Sequence, residues 1–484
     1  MALGGPALLS RQHTVTTDED TGGTPAAAAG AAGSSSSSAA AAAAARAPYT
    51  IEAGGITDPG VHGKQNQDDF FVEVIDAAAG DCIVGVFDGH GRELGQLAAR
   101  TAKNFVRDEL RKEEVRKAIE RDPKDTFDAV FCGAHKAIEA TFAAHYTDAG
   151  WLVSRAAEGF LTRRRSEGSA TMCVHGGTTA TVMVIYGGRR AVVANVGDSS
   201  ALLCGGHATA HVMRAISTWP GSATAPAEAA PASAVVARPE ANPEHAAGPT
   251  QMEMSADHSP ESDAEFFRMR DARPSLSDKS RPELLFVYDT LTSSKMSCPQ
   301  IFHVDPSTGR ARRTNRGSYY KNVRNEWATL VATPAFAQFQ DALAFTRSLG
   351  DLHLQSYGVS HLPEVRWIDL APAGPDGVPA PATAGPICIA ACSDGIWDNW
   401  KFHDVASFVL HRERMAHPDA QARTVALMST NLERAHINFG NSADNMTAVC
   451  IYLTPSKPAA HGTSSSSSSS AGAAAAAAAA SPGH

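Results

Sequence analysis

The chain has 484 residues, eight cysteines and a formal net charge of −9 at pH 7. This acidic balance disfavours a general nucleic-acid binder, because the basic residues form only short runs near 163–165 and 310–316. No apolar run approaches the roughly eighteen residues of a membrane span. The cysteines lack CxxC spacing and no signal peptide is recognisable. We therefore expect a cytoplasmic and/or nuclear protein without a disulfide framework or a zinc ribbon.

Composition divides the chain into a central region and low-complexity segments. Residues 1–46 and 456–484 are rich in Ala, Gly and Ser and contain too few large apolar residues to bury a core, so we expect disordered tails. Between them, residues 47–455 are long enough for one large domain. An Ala- and Pro-rich stretch at about 215–250 predicts a low-complexity insertion within that domain.

Hydrophobic periodicity predicts alternating groups of strands and helices along the core. The predicted strands cover residues 70–75, 82–87, 178–186, 191–196, 201–204, 387–391 and 448–453, and the predicted helices cover 93–110, 125–145, 402–412 and 420–436. The three strands between 178 and 204 are separated by short Gly-containing turns, which is typical of a β-meander. Strands with paired helices on either side predict a layered α+β domain.

Four acidic residues, each in its own short motif, lie at the edges of apolar runs. They are Asp88, Asp198, Asp394 and Asp444. Singly, each is more simply interpreted as a turn-forming aspartate after a strand. Together they could converge on one cleft, where their charges would repel unless divalent cations lay between them. Hard cations prefer oxygen ligands, so this pattern predicts a site for Mg²⁺ or Mn²⁺.

Seven motifs in one order resemble those of the metal-dependent serine/threonine protein phosphatases of type 2C, the PPM family. They are residues 66–69 (NQDD), 87–91 (FDGHG), 177–180 (GTTA), 195–199 (NVGDS), 343–351 (LAFTRSLGD), 393–398 (SDGIWD) and 444–447 (DNMT). The resemblance runs from about residue 51 to 453, interrupted by the predicted insertion. It implies a central β-sandwich of two antiparallel sheets flanked by paired helices, an α-β-β-α arrangement.

The resemblance also implies roles for individual residues. Asp88 would bridge two Mg²⁺ or Mn²⁺ ions, with the carbonyl of Gly89 as a further ligand. Asp394 and Asp444 match other metal ligands. Asp68 matches an outer carboxylate that acts largely through water, and Asp198 matches a residue associated with a third, weaker metal ion. His90 matches the proposed general acid. The implied partners are phosphoprotein substrates, acted on by a monomer.

The chemistry of phosphate monoesters accounts for these residue types. Two cations can acidify a water between them to hydroxide, which attacks phosphorus directly, while they offset charge on the phosphoryl group. A serine or threonine alkoxide departs poorly without a proton, and an imidazole such as that of His90 titrates in the useful range. The Cys-containing loop of cysteine phosphatases is missing, so no phosphocysteine intermediate is expected.

One departure leaves alternatives open. Members of the family commonly place Arg five residues before the position of Asp68, to bind the substrate phosphate, whereas this chain has Gly63 there and Lys64 beside it. Lysine lacks the bidentate grip of a guanidinium. The alternatives are therefore an inactive or weakly active phosphoprotein-binding scaffold and a metal hydrolase of small phosphoesters. Arg347 is interpreted as structural, and whether Asp351 approaches the site is left open.

Overall fold

The computed structural model describes residues 47–205, 212–215, 250–271, 283–291, 295–370 and 385–456. The predicted tails at 1–46 and 456–484 lie outside these ranges except for residue 456, and the predicted low-complexity insertion at about 215–250 lies outside them except for its end residues. Within the described ranges, no helix combines the length and apolar character needed to cross a membrane.

Two antiparallel sheets form the centre of the protein. The first sheet contains, in spatial order, Tyr49–Asp58, Met446–Pro455, Ile387–Cys392, Ser200–Cys204 and Gln251–Glu253. The second sheet contains Val212–Ala215, Glu364–Asp369, Arg190–Val196, Ala180–Tyr186, Asp81–Phe87 and Asp69–Asp76. The inner faces of the two sheets share a core that includes Val84 and Val193 of the second sheet and Leu203 and Ile451 of the first.

Helices cover the outer face of each sheet. Gly95–Leu110, Glu113–Arg121 and Pro123–Asp148 cover the second sheet, and Asp394–Trp397, Phe402–Val409, Arg412–Met415 and Ala420–Asn438 cover the first. Side chains alternate between the two interfaces with the strand period of two: Val84 and Val86 face the partner sheet, whereas Ile83 and Phe87 face the helices. Strands buried on both faces are apolar throughout, as the sequence predicted. The predicted α-β-β-α sandwich is confirmed.

The predicted β-meander is wrong in its last strand. Ala180–Tyr186 and Arg190–Val196 pair in the second sheet, but Ser200–Cys204 pairs with Ile387–Cys392 and Gln251–Glu253 in the first. The connection crosses between sheets at Gly197, whose φ of 99° is a left-handed conformation that glycine adopts readily. Local periodicity cannot distinguish the two arrangements, because each strand is apolar on both faces.

The remaining elements are short. They are the strands Gly89–His90, Leu152–Arg155, Leu161–Arg164, Met172–Cys173, Gly177–Thr178, Leu285–Tyr288, Phe302–Val304, Ala311–Arg313, Thr329–Ala332, Ala342–Leu343 and Leu349–Gly350, the α-helices Asp263–Asp271 and Leu352–Gln355, and the 3₁₀ helices Lys295–Ser297 and Gly440–Ser442. A separate apolar cluster that includes Phe266, Phe286 and Phe302 supports a lobe formed by the described residues between 263 and 345. No sequence pattern predicted this lobe.

Candidate metal centre

The predicted metal ligands come from strand ends in both sheets. Asp88 directly follows a strand of the second sheet, and Asp394 follows the strand Ile387–Cys392 of the first. Asp444 precedes the neighbouring strand of the first sheet, beginning at Met446. The charges of Asp68, Asp394, Asp444 and Asp198 all raise the pKa of Asp88, which places the five carboxylates in one electrostatic cluster. The convergence predicted from sequence is therefore present in the fold.

Asp68 is held in a fixed orientation by the opposite sheet. Its oxygen Oδ2 accepts hydrogen bonds from the hydroxyls of Ser393 and Thr447, both at 2.8 Å. The backbone N–H of Thr447 in turn donates to the Ser393 hydroxyl at 2.9 Å. The other oxygen of Asp68, Oδ1, is buried and has no hydrogen-bond partner among the described residues. One oxygen is thus fixed and the other is left for a ligand.

The cluster is electrostatically unfavourable without cations. Burial, followed by the charges of Asp68 and Asp394, raises the pKa of Asp88 well above its ordinary value. Burial, followed by the charge of Asp198, likewise raises the pKa of Asp394, and burial raises that of Asp68 to about 6. Buried oxygens of Asp68, Asp198 and Asp394 lack hydrogen-bond partners within the described ranges. An oxygen-only donor set with these free atoms fits Mg²⁺ or Mn²⁺.

Two glycines allow the backbone to approach closely at the centre. A Cβ atom on Gly395 would lie 2.0 Å from the carbonyl oxygen of Asn445. A Cβ atom on Gly89 would lie 2.3 Å from the carbonyl oxygen of Gly95 and 2.5 Å from that of Gln67. Neither clash is with a flexible side chain, so any larger residue would displace backbone next to Asp88 or Asp394. The predicted role of the Gly89 carbonyl as a ligand stays a prediction.

His90 lies beside the cluster and is bound by Asp351. Its Nε2 is 2.7 Å from Oδ2 of Asp351, and the hydroxyl of Ser348 donates to that same oxygen at 2.6 Å. Burial lowers the pKa of His90, but the charge and hydrogen bond of Asp351 outweigh it, and the net pKa is raised. The other ring nitrogen, Nδ1, is buried without a hydrogen-bond partner in the described part of the chain. The open question about Asp351 is thus answered: it contacts the predicted general acid.

Asp198 is paired with a lysine that sequence reasoning missed. Oδ2 of Asp198 lies 3.5 Å from Nζ of Lys321, which is also 3.9 Å from Glu326. Burial lowers the pKa of Lys321, but the charges of Asp198, Asp398 and Asp257 more than offset burial and raise it. Acidic side chains therefore surround the ammonium of Lys321. Nothing local marks Lys321 in the sequence, because none of the seven recognised motifs contains it.

Lys64 lies at the rim of the centre. Its Nζ contacts Oδ1 of Asp444 at 2.6 Å and the carbonyl oxygen of Ala443 at 3.2 Å. The side chain of Asp444 is 63% exposed, so this carboxylate is open to solvent. Gly63 has a φ of 82°, and a Cβ atom there would meet nothing within 4 Å. The loop thus has space where the family commonly carries Arg, and the role of Lys64 in phosphate binding stays a prediction.

Arg347 has a structural environment, in agreement with its interpretation. Its guanidinium binds the buried carboxylate of Glu265, with Nη2 at 2.5 Å from Oε1, and Nη1 donates to the carbonyl oxygen of Leu362 at 3.1 Å. The Arg268 guanidinium shares the same carboxylate, with its Nε at 2.8 Å from Oε2. This cluster joins the helix Asp263–Asp271 to the segment that leads to Asp351.

Comparison with known proteins finds similarity to phosphatases. Residues 82–215 match the family model described as Protein phosphatase 2C, and no curated protein matches. Similar solved structures include serine-threonine phosphatase 2C from Toxoplasma gondii, at 15% identity with 84% of this chain and 95% of that chain covered and a TM-score of 0.46. The serine/threonine phosphatase PstP/Ppp of Mycobacterium tuberculosis has 14% identity, coverages of 83% and 98%, and a TM-score of 0.36. Stp1 of Staphylococcus aureus has 13% identity, coverages of 84% and 96%, and a TM-score of 0.37.

The family match confirms the resemblance seen in the motifs. The matched segment contains Asp88, Gly89, His90 and Asp198, whereas Asp68, Asp394 and Asp444 lie outside it. The match is therefore to the segment 82–215, and the predicted enzyme class, a protein-serine/threonine phosphatase, agrees with the family model that this segment matches. The structure adds the remaining carboxylates to the same cluster.

Proposed function

We propose that the protein is a metal-dependent phosphatase that hydrolyses phosphoserine and phosphothreonine in proteins, by direct attack of water and without a phosphoenzyme. One observation carries this proposal: buried carboxylate oxygens of Asp68 and Asp394, unpartnered within the described ranges, belong to one cluster with Asp88. That cluster lies beside His90, whose pKa responds to the charge of Asp198. We propose that the protein acts as a monomer and that its substrates are phosphoproteins of the cytoplasm or nucleus.

We assign the metal ions to the carboxylates of Asp68, Asp88, Asp394 and Asp444. When bound, Mg²⁺ or Mn²⁺ would polarise water and the phosphate oxygens and offset the negative charge that develops in the reaction. The chain supplies the positions of the ligands: Ser393 and Thr447 hold one oxygen of Asp68 by hydrogen bonds. Short aspartate side chains at the ends of buried strands keep the ligand oxygens in place before any ion binds.

His90 would supply the proton that the leaving alkoxide needs. Asp351 binds Nε2, fixes the ring orientation and favours the protonated form. The proton at Nδ1 is then the one available to a substrate oxygen, because no described residue binds that nitrogen. The Ser348 hydroxyl fixes Asp351 in turn at 2.6 Å.

We further propose that this chain binds two ions rather than three. The expectation of a third ion rested on Asp198, and here the ammonium of Lys321 lies 3.5 Å from that carboxylate. The neighbouring residue Asn322 donates to Asp398 at 3.2 Å, so the lysine segment is fixed against the same acidic group. A positive side chain in this position offsets the local negative charge without an added cation.

The test is a phosphatase assay on the full chain, with phosphopeptides and small metabolite phosphates in parallel and with Mn²⁺, Mg²⁺ or EDTA. We expect metal-dependent turnover of the phosphopeptides, lost in EDTA and in Asp88→Asn. The matched control is Asp69→Asn, because that neighbouring carboxylate pairs with Lys103 at 2.9 Å and should leave the rate unchanged. Turnover of metabolites alone would favour the small-phosphoester alternative, and EDTA-resistant turnover would overturn the mechanism. Phosphopeptide binding without turnover would indicate the scaffold.

A further inference from the structure

A second group of metal-ligating side chains lies outside the acidic centre. The ligand atoms of Cys173, His175 and His353 all lie within 4.8 Å of one another. Oδ2 of Asp341 is 2.9 Å from Nδ1 of His175 and 3.3 Å from Nδ1 of His353. Cys173 and His353 are buried, whereas His175 is at the surface, so the group has a buried floor and an open side.

These residues come from three separate segments of the chain. Cys173 ends the strand Met172–Cys173, His175 follows in the next loop, and His353 lies on the short helix Leu352–Gln355. Asp341 directly precedes the strand Ala342–Leu343. No secondary-structure element forces these side chains together. Their convergence therefore depends on the tertiary fold.

The ligand types differ from those of the acidic centre. A thiolate and two imidazoles are the donors that select zinc among common divalent ions, at about 2.0–2.3 Å from the metal. Zinc-bound histidines almost always give their other ring nitrogen to a carboxylate or carbonyl, and Asp341 is such a carboxylate for both rings. Ligand atoms within 4.8 Å of one another need only small side-chain rotations to reach a shared ion.

We propose that Cys173, His175 and His353 form a zinc site, with Asp341 as the carboxylate that orients both imidazoles. The alternative is a hydrogen-bonded His–Asp–His group beside a packed thiol, with no ion. Ligation of a metal ion by a thiolate distinguishes the zinc site from this alternative. Such a signal cannot come from the acidic centre, because that centre has only oxygen donors.

The position of this site links it to His90. His175 is two residues before Gly177, which pairs with His90 in the sheet, and His353 is two residues after Asp351. The backbone N–H of Asp351 also donates to the carbonyl of Gly176 at 2.8 Å. A zinc ion would therefore join the two segments that hold the His90 side chain and its carboxylate partner. This part of the inference, an effect on turnover, rests on the proposed function, whereas metal binding does not.

The experiment uses Co²⁺ as a spectroscopic probe for zinc in the full chain. After removal of metals with EDTA, Co²⁺ should give the thiolate-to-metal charge-transfer absorption, and Zn²⁺ should abolish it in a one-to-one titration. Cys173→Ser and His175→Gln should each remove the absorption. Asp341→Asn should weaken Zn²⁺ binding by about 10–100-fold. His175 is exposed, so its substitution leaves the fold intact even where a buried variant does not.

Cys132→Ser is the matched control, because the Cys132 thiol also lies near an imidazole, 3.5 Å from Nε2 of His361. It should keep the absorption. Absence of the charge-transfer band at saturating Co²⁺, or its persistence in Cys173→Ser, would overturn the proposal. A band without any phosphatase activity would leave the zinc site standing and refute the proposed function alone.

Discussion

Replacing Lys321 by methionine tests whether its ammonium takes the place of a metal ion. Methionine keeps the approximate length of the side chain and removes the charge. Nζ lies 3.5 Å from Asp198 and 3.9 Å from Glu326, with Asp398 and Asp257 close enough to raise its pKa. In EDTA the variant would keep these carboxylates close together without a cation.

The expected cost follows from the burial of the pair. The side chains of Lys321 and Asp198 are 26% and 6% exposed. Removing one partner of a largely buried ion pair costs about 3–5 kcal/mol, because the other charge stays desolvated. For a domain of this size that lowers Tm by roughly 5–15 °C. Mn²⁺ should then bind the freed carboxylates, and at 100 times its Kd it would restore about 2.7 kcal/mol.

The assay combines thermal unfolding with the number of Mn²⁺ ions bound per chain, measured by equilibrium dialysis. Lys321→Met should lose stability in EDTA, regain most of it in Mn²⁺ and bind one more ion than the parent chain. Lys321→Arg should behave as the parent does. The control Lys117→Met removes an exposed lysine that pairs with Glu113 on the same helix surface. An unchanged ion count together with an unchanged Tm in EDTA would refute the reasoning.

Two further predictions concern the groups around the centre. In Asp351→Asn the pKa of His90 should fall, because the charge and hydrogen bond of Asp351 contribute most to raising it. A proton donor loses activity as pH rises through its pKa, so the alkaline limb of the pH–kcat profile should move to lower pH, and an unmoved limb would contradict the role of His90. Glu265→Gln should lower the free energy of unfolding by about 3–5 kcal/mol, since it leaves Arg268 and Arg347 buried without a carboxylate. Burial raises the pKa of Glu265, but the hydrogen bond and charge of Arg347 dominate and hold it below the ordinary value. Its stabilisation is therefore present above about pH 4.3 and lost as pH falls below it, so urea denaturation should separate variant and parent at pH 7 and bring them together in acid.

The sequence predicted those parts of the molecule whose signal is local. Asp88 and Asp394 each follow an apolar run, and a run of that kind is a buried strand whose end is rigid. The order of the motifs, through the family resemblance, predicted the β-sandwich, and the structure confirmed this architecture. The helices at 95–110 and 420–438 likewise carried their own periodicity.

The parts that could not be predicted depend on contacts between distant segments. Lys321 pairs with a residue more than a hundred positions away, and no spacing rule connects them. The same is true of His353 beside Cys173, and of the strand at 200–204, whose apolar pattern suits either sheet equally. A pattern of residue types states which face is buried but not which neighbour buries it.

The hydroxyls of Ser393 and Thr447 reach across to Asp68, so the acidic centre is assembled over the seam between the two halves of the sandwich. Cations bound there would link the two sheets, because sliding one sheet against the other would separate the oxygen ligands of each cation. Resistance of the whole domain to shearing, and not only its chemistry, should therefore increase with divalent-ion concentration.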